Sequence, residues 1–192
     1  MGLMLSQQPA ADDLLARDPL ALVIGMVLDQ QIPLEKAFSG PYELTQRLGH
    51  GLGAQEIADF DPHELAAVFS RTPALHRFPG SMAKRVQALC RAVADDYDGD
   101  VANVWKTAND AAELRSRLAA LPGFGTQKAQ IFVALLGKQY GVTPPGWREA
   151  AGEYGEDGSY KSVADITDLD SLARVRAYKQ QMKAAAKART AG

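Results

Sequence analysis

The chain has 192 residues, of which 46% are hydrophobic and 23% charged, and its net charge is −2. These values suit one large domain or two intimately packed lobes with ample length for a buried core, and they exclude wholesale disorder. With so little net charge, a polyanionic partner must be held by a local patch and not by the field of the whole molecule.

The longest apolar run, Pro19 to Leu28, is far too short to span a bilayer. The opening MGLMLSQQPAADD lacks the basic and apolar blocks of a signal peptide, so the expectation is a cytoplasmic protein. Cys90 is the only cysteine, which excludes an internal disulfide and any four-thiolate zinc or iron–sulfur site. His50, His63 and His76 are too scattered to form a local metal motif and read as ordinary surface or core histidines.

In chain order the sequence predicts helix after helix. Asp18-Pro19 supplies an N-cap and a proline at the first helical position, followed by LALVIGMVL. That segment is apolar all round, so it belongs where it is buried on most sides. Asp61-Pro62 opens HELAAVFS in the same way. Ser81 is the expected cap of MAKRVQALCRAVADDY, in which Met82, Val86, Leu89 and Val93 share a face. Thr107 or Asn109 is the expected start of DAAELRSRLAAL, ended by Pro122. Ile131 to Leu136 belongs to a fifth helix, stopped at Gly137 or Gly141. Asp168 or Asp170 caps a last one, LARVRAYKQQMKAAAKA. No alternating β-branched stretch competes, so the expected fold is an all-α compact bundle.

One long connection interrupts this pattern, the Gly-, Pro- and acid-rich stretch from Gly141 to Tyr160, and long loops in compact domains often carry function. Charge is uneven from there on. Glu149 to Asp170 holds seven acids against Lys161 alone, whereas Ser171 onward holds six bases and no acid. The basic stretch reads either as an exposed amphipathic helix or as an arm that meets nucleic acid.

The stretch LPGFGTQKA, Leu121 to Ala129, is the most informative. Proline ends one helix, and two glycines permit φ > 0 with no Cβ in the way. Gly123 and Gly125 then present backbone N–H groups at the start of the next helix, where the helix dipole favours an anion. Lys128 would add a point charge. An open turn of this kind suits a nucleic-acid phosphate better than a small free anion. A glycine pair also serves simply to turn tightly between helices, and the spacing alone leaves both readings open.

LPGFGTQKA resembles the helix-hairpin-helix motif, Leu-Pro-Gly-apolar-Gly followed by a helix. DPLALVIGMVLDQQIP resembles the opening helix of the helix-hairpin-helix (HhH-GPD) DNA glycosylase superfamily, which includes endonuclease III and the adenine-mismatch, oxoguanine and alkyl-base glycosylases. FPGSMAKRVQALCRAV resembles the helix that precedes their hairpin. The likeness runs from Asp18 to Leu136 in the family's order. It implies two closely packed helical lobes, with a glycosylase-like domain over 1–140 (hairpin at 119–129), an irregular acidic loop over 141–167 and a basic helix or tail over 168–192.

The resemblance also implies roles. Gly123 and Gly125 would grip a backbone phosphate, a contact that positions the protein and weakens steeply with salt. Carbonyls of Ala119, Leu121 and Phe124 match those that hold a structural monovalent cation in the family. Gln31 falls where family members place a residue that fills the gap left by an extruded base, because a stacked nucleotide must be flipped out before its glycosidic bond is reachable. Gln30 would support that turn.

Three departures qualify the resemblance. Gln127 stands where bifunctional members carry the lysine that forms a Schiff base, and an amide is no nucleophile, which argues against a lyase. Lys128 is one step on, rotated by about 100°, and fits a phosphate clamp better. The family's aspartate, which stabilises the oxocarbenium-like sugar, lies about eighteen to twenty residues beyond the lysine position, and Pro145 to Trp147 offer no acid there. The nearest substitutes are Glu149 and Glu153, with Glu149 needing only a slight extension of the loop. In the same loop Trp147 reads either as a plane on which a flipped base could stack or as an ordinary buried tryptophan. Finally, the chain lacks the cysteines of the endonuclease III iron–sulfur cluster.

The implied function is DNA base-excision repair by a monomer acting on double-stranded DNA with a damaged or mismatched base in the cytoplasm or nucleoid. It would hydrolyse the N-glycosidic bond without strand cleavage. The alternatives are a non-catalytic damage-binding protein of the same fold and a helical interaction domain with an incidental glycine turn.

Overall fold

A computed structural model describes residues 3–190. Among them are eleven α-helices and two 3-10 turns, with no strand, so the chain is all-α. The helices are α1 (Pro9–Arg17), α2 (Pro19–Leu28), α3 (Leu34–Leu48), α4 (Ala54–Asp59), α5 (Pro62–Ser70), α6 (Pro79–Asp96), α7 (Asn103–Lys106), α8 (Ala111–Ala120), α9 (Thr126–Gln139), α10 (Trp147–Ala151) and α11 (Leu169–Thr190).

Two starts follow the sequence signals closely. The Asp18 carboxylate accepts the N–H groups of Leu20 and Ala21 at 2.9 and 3.3 Å, and Asp61 does the same for His63 and Glu64 at 2.9 and 3.0 Å. Other boundaries differ. α6 starts at Pro79, ahead of Ser81, because proline presets the first-turn φ and the Met82 N–H closes that turn on the Phe78 carbonyl at 3.0 Å. α8 is capped by Asp110, whose carboxylate accepts the Glu113 N–H at 2.8 Å, and not by Thr107 or Asn109. α9 runs through Gly137 to Gln139, and Gly141 follows with φ +75°. Asp168 is the cap of α11, accepting the Ser171 N–H at 2.7 Å. Helices α1, α3, α4, α7 and α10 escaped the sequence pattern; α3 even carries Pro41 in its interior.

α2 is the axis of the fold, with every residue from Leu20 to Leu28 buried. α1 and α2 pack on α3, α4 and α5 pack on α6, and α8 and α10 pack on α9. These groups share one continuous hydrophobic cluster, joined where α2 meets α6. The α2–α3 loop and the α8–α9 hairpin are thereby held by a single core.

The segment 141–167, expected to be irregular, holds α10 and the two 3-10 turns at Gly152–Gly155 and Val163–Asp165. It buries Ala151, Tyr154, Val163, Ala164 and Ile166. Its apolar residues come in runs too short to show a period, which is why the sequence reads as loop. Beyond it, α11 is anchored by Leu172 and Val175 and is exposed from Lys179 to Arg189. Residues 191 and 192 of the expected basic tail lie outside the described residues. No described helix is long and apolar enough to cross a membrane.

Candidate nucleic-acid interface

The hairpin between α8 and α9 is built around Gly123, at φ +84°, where a Cβ would come within 3.0 Å of Arg85 Cδ and Val27 Cγ1. Both the backbone conformation and the close approach require glycine there. Gly125 differs: its backbone is extended (φ 161°), and nothing lies within 4 Å of where a Cβ would stand. The free protein makes no steric demand for glycine at 125; the open space lies outside.

Among the described residues nothing accepts the N–H groups of Gly123, Gly125, Thr126, Gln127 or Lys128. Five donors therefore cluster at the positive end of a 14-residue helix, the arrangement that binds a phosphate. Leu121 accepts the Phe124 N–H at 3.1 Å, while Ala119 and Phe124 carbonyls receive no bond among the described residues.

Lys128 does not face that anion site. Its Nζ turns inward and donates to the carbonyls of Met26 at 2.5 Å and Val27 at 3.3 Å. It thus caps the C-terminal end of α2, where orphan carbonyls and the negative dipole end favour a cation. Burial pulls its ammonium down to about 8; Asp29 opposes that shift, and Arg85 and Lys179 add to it. The expected phosphate clamp is a structural joint between the hairpin helix and α2.

The loop after α2 presents Gln31 exposed and at φ +57°, a left-handed conformation for a non-glycine residue. Gln30 holds the turn, donating through Nε2 to the Val27 carbonyl at 2.8 Å and accepting from Arg85 at 2.9 Å. Arg85 therefore touches both the Gln31 loop and Gly123. Behind the loop His76, 1% exposed, joins its Nε2 to the Gln30 carbonyl while its Nδ1 accepts the Phe78 N–H, both at 2.9 Å. Those partners fix the neutral tautomer with the proton on Nε2, and burial lowers its pKa. Phe78 itself is 42% exposed, its ring centroid 6.2 Å from that of His76. Sequence reasoning passed over His76, Phe78 and Arg85; the exposed aromatic ahead of a helix-opening proline was the one signal available.

The acid side is different. Trp147 lies on Gly137, where a Cβ would sit 2.4 Å from its ring, and the Arg148 guanidinium stands 4.2 Å from the ring centroid. With both contacts in place the ring is a packing element and not a platform for a base. α10 then runs back along α9, so that Gly152 meets Gln130 and the Tyr154 hydroxyl accepts from Gln127 at 2.9 Å. The Gln127 position thus looks onto a phenol. Glu149 lies between those contacts, ~10 Å along α9 from the hairpin by helical rise, and is part of a helix pinned at both ends. A slight extension of a loop does not bring it to the hairpin. It is exposed and, unlike Glu153, Glu156, Asp157 and Asp165, is in no ion pair among the described residues. No group of His, Cys, Asp and Glu among the described residues is arranged to hold a metal. Cys90 is buried, which pushes its thiol up to about 12.

An all-α core that delivers an open helix-hairpin-helix turn and an exposed glutamine loop side by side defines a DNA-binding helical scaffold. The family profile described as "HhH-GPD superfamily base excision DNA repair protein" matches residues 24–191. The chain belongs to the HhH-GPD superfamily, a family of base-excision DNA repair. The match continues through α10 and α11. A search of curated proteins found no match.

Proposed function

We propose that this protein is a DNA glycosylase that recognises a damaged or mismatched base in duplex DNA, flips it out and hydrolyses its N-glycosidic bond without cutting the strand. The observation that carries this reading is the pairing of two DNA-facing elements. The hairpin amides are open, the Gln31 loop is presented beside them, and Lys128 and Arg85 tie the two together. The hairpin holds a phosphate, with a monovalent cation at the carbonyls of Ala119, Leu121 and Phe124 adding positive charge to it. Gln31 fills the stack that the extruded nucleotide leaves, and Phe78 wedges beside it. In the chemical step water adds to the sugar C1′ as the bond to the base nitrogen breaks, the base leaving with the electron pair and taking up a proton. Gln127, bonded to Tyr154, offers no amine for a Schiff base.

A second reading is favoured by the acid positions. Glu149, the one unpaired candidate carboxylate, is held away from the hairpin, which suits a protein that binds lesions without excising them. Single-turnover incubation with duplexes carrying a panel of damaged and mismatched bases, followed by alkali, separates the two. Abasic product that disappears in Gln31→Ala and Gly125→Val supports the glycosylase, and its loss in Glu149→Gln assigns the carboxylate. Tight lesion binding with no abasic product selects the second reading. Strand cleavage before alkali overturns the argument from Gln127.

A further inference from the structure

The basic helix α11 does not trail away from the interface; it is docked against the Gln31 loop. Arg176 pairs with Glu35, and Lys179 lies 3.7 Å from Asp29. Asp29 and Glu35 flank the loop on either side, with side chains only 16% and 21% exposed. Two carboxylates in that place would repel a phosphate backbone arriving at Gln31, and α11 neutralises both.

The same face of α11 continues past the loop. Leu172, Arg176, Lys179, Lys183 and Lys187 recur at three and four residues and so share one stripe of the helix. Leu172 seats the stripe in the core, Arg176 and Lys179 meet the loop, and Lys183 and Lys187 follow one and two turns beyond. No acid follows Asp170 in the sequence. The face is exposed from Lys179 onward, and its apolar content there is too low for a protein interface, since the residues between the bases are chiefly Ala and Gln. Its charge fits a regular polyanion.

We propose that α11 is a third DNA-contact element, in which Lys183 and Lys187 track the duplex backbone flanking the nucleotide that the hairpin and Gln31 engage. The inference rests on the DNA-binding reading above and adds a surface to it. The geometry assigns α11 affinity and orientation and no base readout, because phosphate contacts carry no sequence information. Neutralising two phosphates with two lysines adds about 2 to the slope of log affinity against log salt.

The test uses the full chain and a lesion-free duplex, with affinity measured across a salt series. Lys183→Gln/Lys187→Gln is expected to flatten the slope by about 2 while the chain keeps its fold, because neither side chain is buried in the core. The control Arg17→Glu/Lys106→Glu changes net charge at exposed pairs elsewhere, and is expected to keep the wild-type slope. A lysine variant whose slope equals that of the wild type overturns the role of α11 even as the hairpin still binds. A control that flattens the slope as much also overturns it, in favour of a general charge effect. Absence of salt-dependent binding in the wild type itself overturns the DNA reading with it.

Discussion

The hairpin and the α10 segment are packed on the same helix, α9, yet they treat their polar groups in opposite ways. At the hairpin five backbone donors have no acceptor among the described residues. Along the segment that follows α10, almost every charge is answered within the protein. Lys138 meets Asp165 at 2.6 Å, Arg148 meets Asp157 at 2.6 Å, and Lys161 meets Glu153 and Glu156 at 3.2 and 2.9 Å. Polar groups left unanswered at a surface mark where a ligand is met; those already answered hold the fold.

This contrast can be broken by mutation. The largest effect is expected at Lys138→Met. The side chains of Lys138 and Asp165 are 14% and 3% exposed, and removing one member of a buried pair costs about 3 kcal/mol. Urea unfolding should show that loss; an unchanged midpoint would mean that the Lys161 and Ser162 amides suffice for Asp165. Next comes Gly125→Val, with a stability loss of no more than about 1 kcal/mol from the poorer N-cap residue and its DNA affinity down ~30-fold, the equivalent of losing one charge-assisted hydrogen bond worth about 2 kcal/mol. Gly123→Ala should show the reverse order of harm: a direct loss of stability of about 1–2 kcal/mol from the left-handed backbone, before any DNA is added. If both glycine variants behave alike in unfolding and in binding, the division between a folding glycine and a ligand glycine fails.

A subtler effect is expected from Lys128. Below pH 8 both the folded and the unfolded chain carry its charge. Between about 8 and the ordinary value of 10.5 the unfolded chain holds a proton that the folded chain has released. Stability therefore rises with pH through that window. Cys90 acts in the opposite sense, because its thiol stays protonated to about 12 when folded and ionises near 9 when unfolded. The pH dependence of wild type minus Lys128→Met removes the cysteine contribution, and that difference should climb between pH 8 and 10.5. A flat difference curve would show that the ammonium is better solvated than its seat on the Met26 and Val27 carbonyls implies. The smallest effect is expected at Glu153→Gln. Its carboxylate is 53% exposed and shares Lys161 with Glu156, so the change should stay below about 1 kcal/mol.

Much of the scaffold can be read from the chain. Asp18-Pro19 and Asp61-Pro62 declare helix starts through local chemistry, and the unbroken apolar run of α2 declares its burial. LPGFG declares a hairpin because its proline ends the helix and its glycines permit a left-handed turn whatever surrounds them. Less legible were α3, with Pro41 inside it, and the short α10, whose five residues carry no period. The site residues divide along the same line. Gln31 is exposed and Gly123 is set by its own left-handed backbone, so the motifs DQQIP and LPGFG can find them. Lys128 is defined by carbonyls about a hundred positions away in sequence, and no local pattern reveals which way its ammonium turns.

By itself, the sequence determined the all-α class and the glycine turn between two helices, because capping, apolar periodicity and glycine freedom are local effects, while the glutamine loop was singled out by the family resemblance. Tertiary structure alone decided how the remaining charged and aromatic residues were used. Long-range packing turned Lys128 inward to cap α2, laid Trp147 on Gly137, carried Glu149 away from the hairpin and set the basic helix beside the Gln31 loop. Each of those outcomes depends on which distant group neutralises or covers a side chain, and that is fixed only when the helices meet.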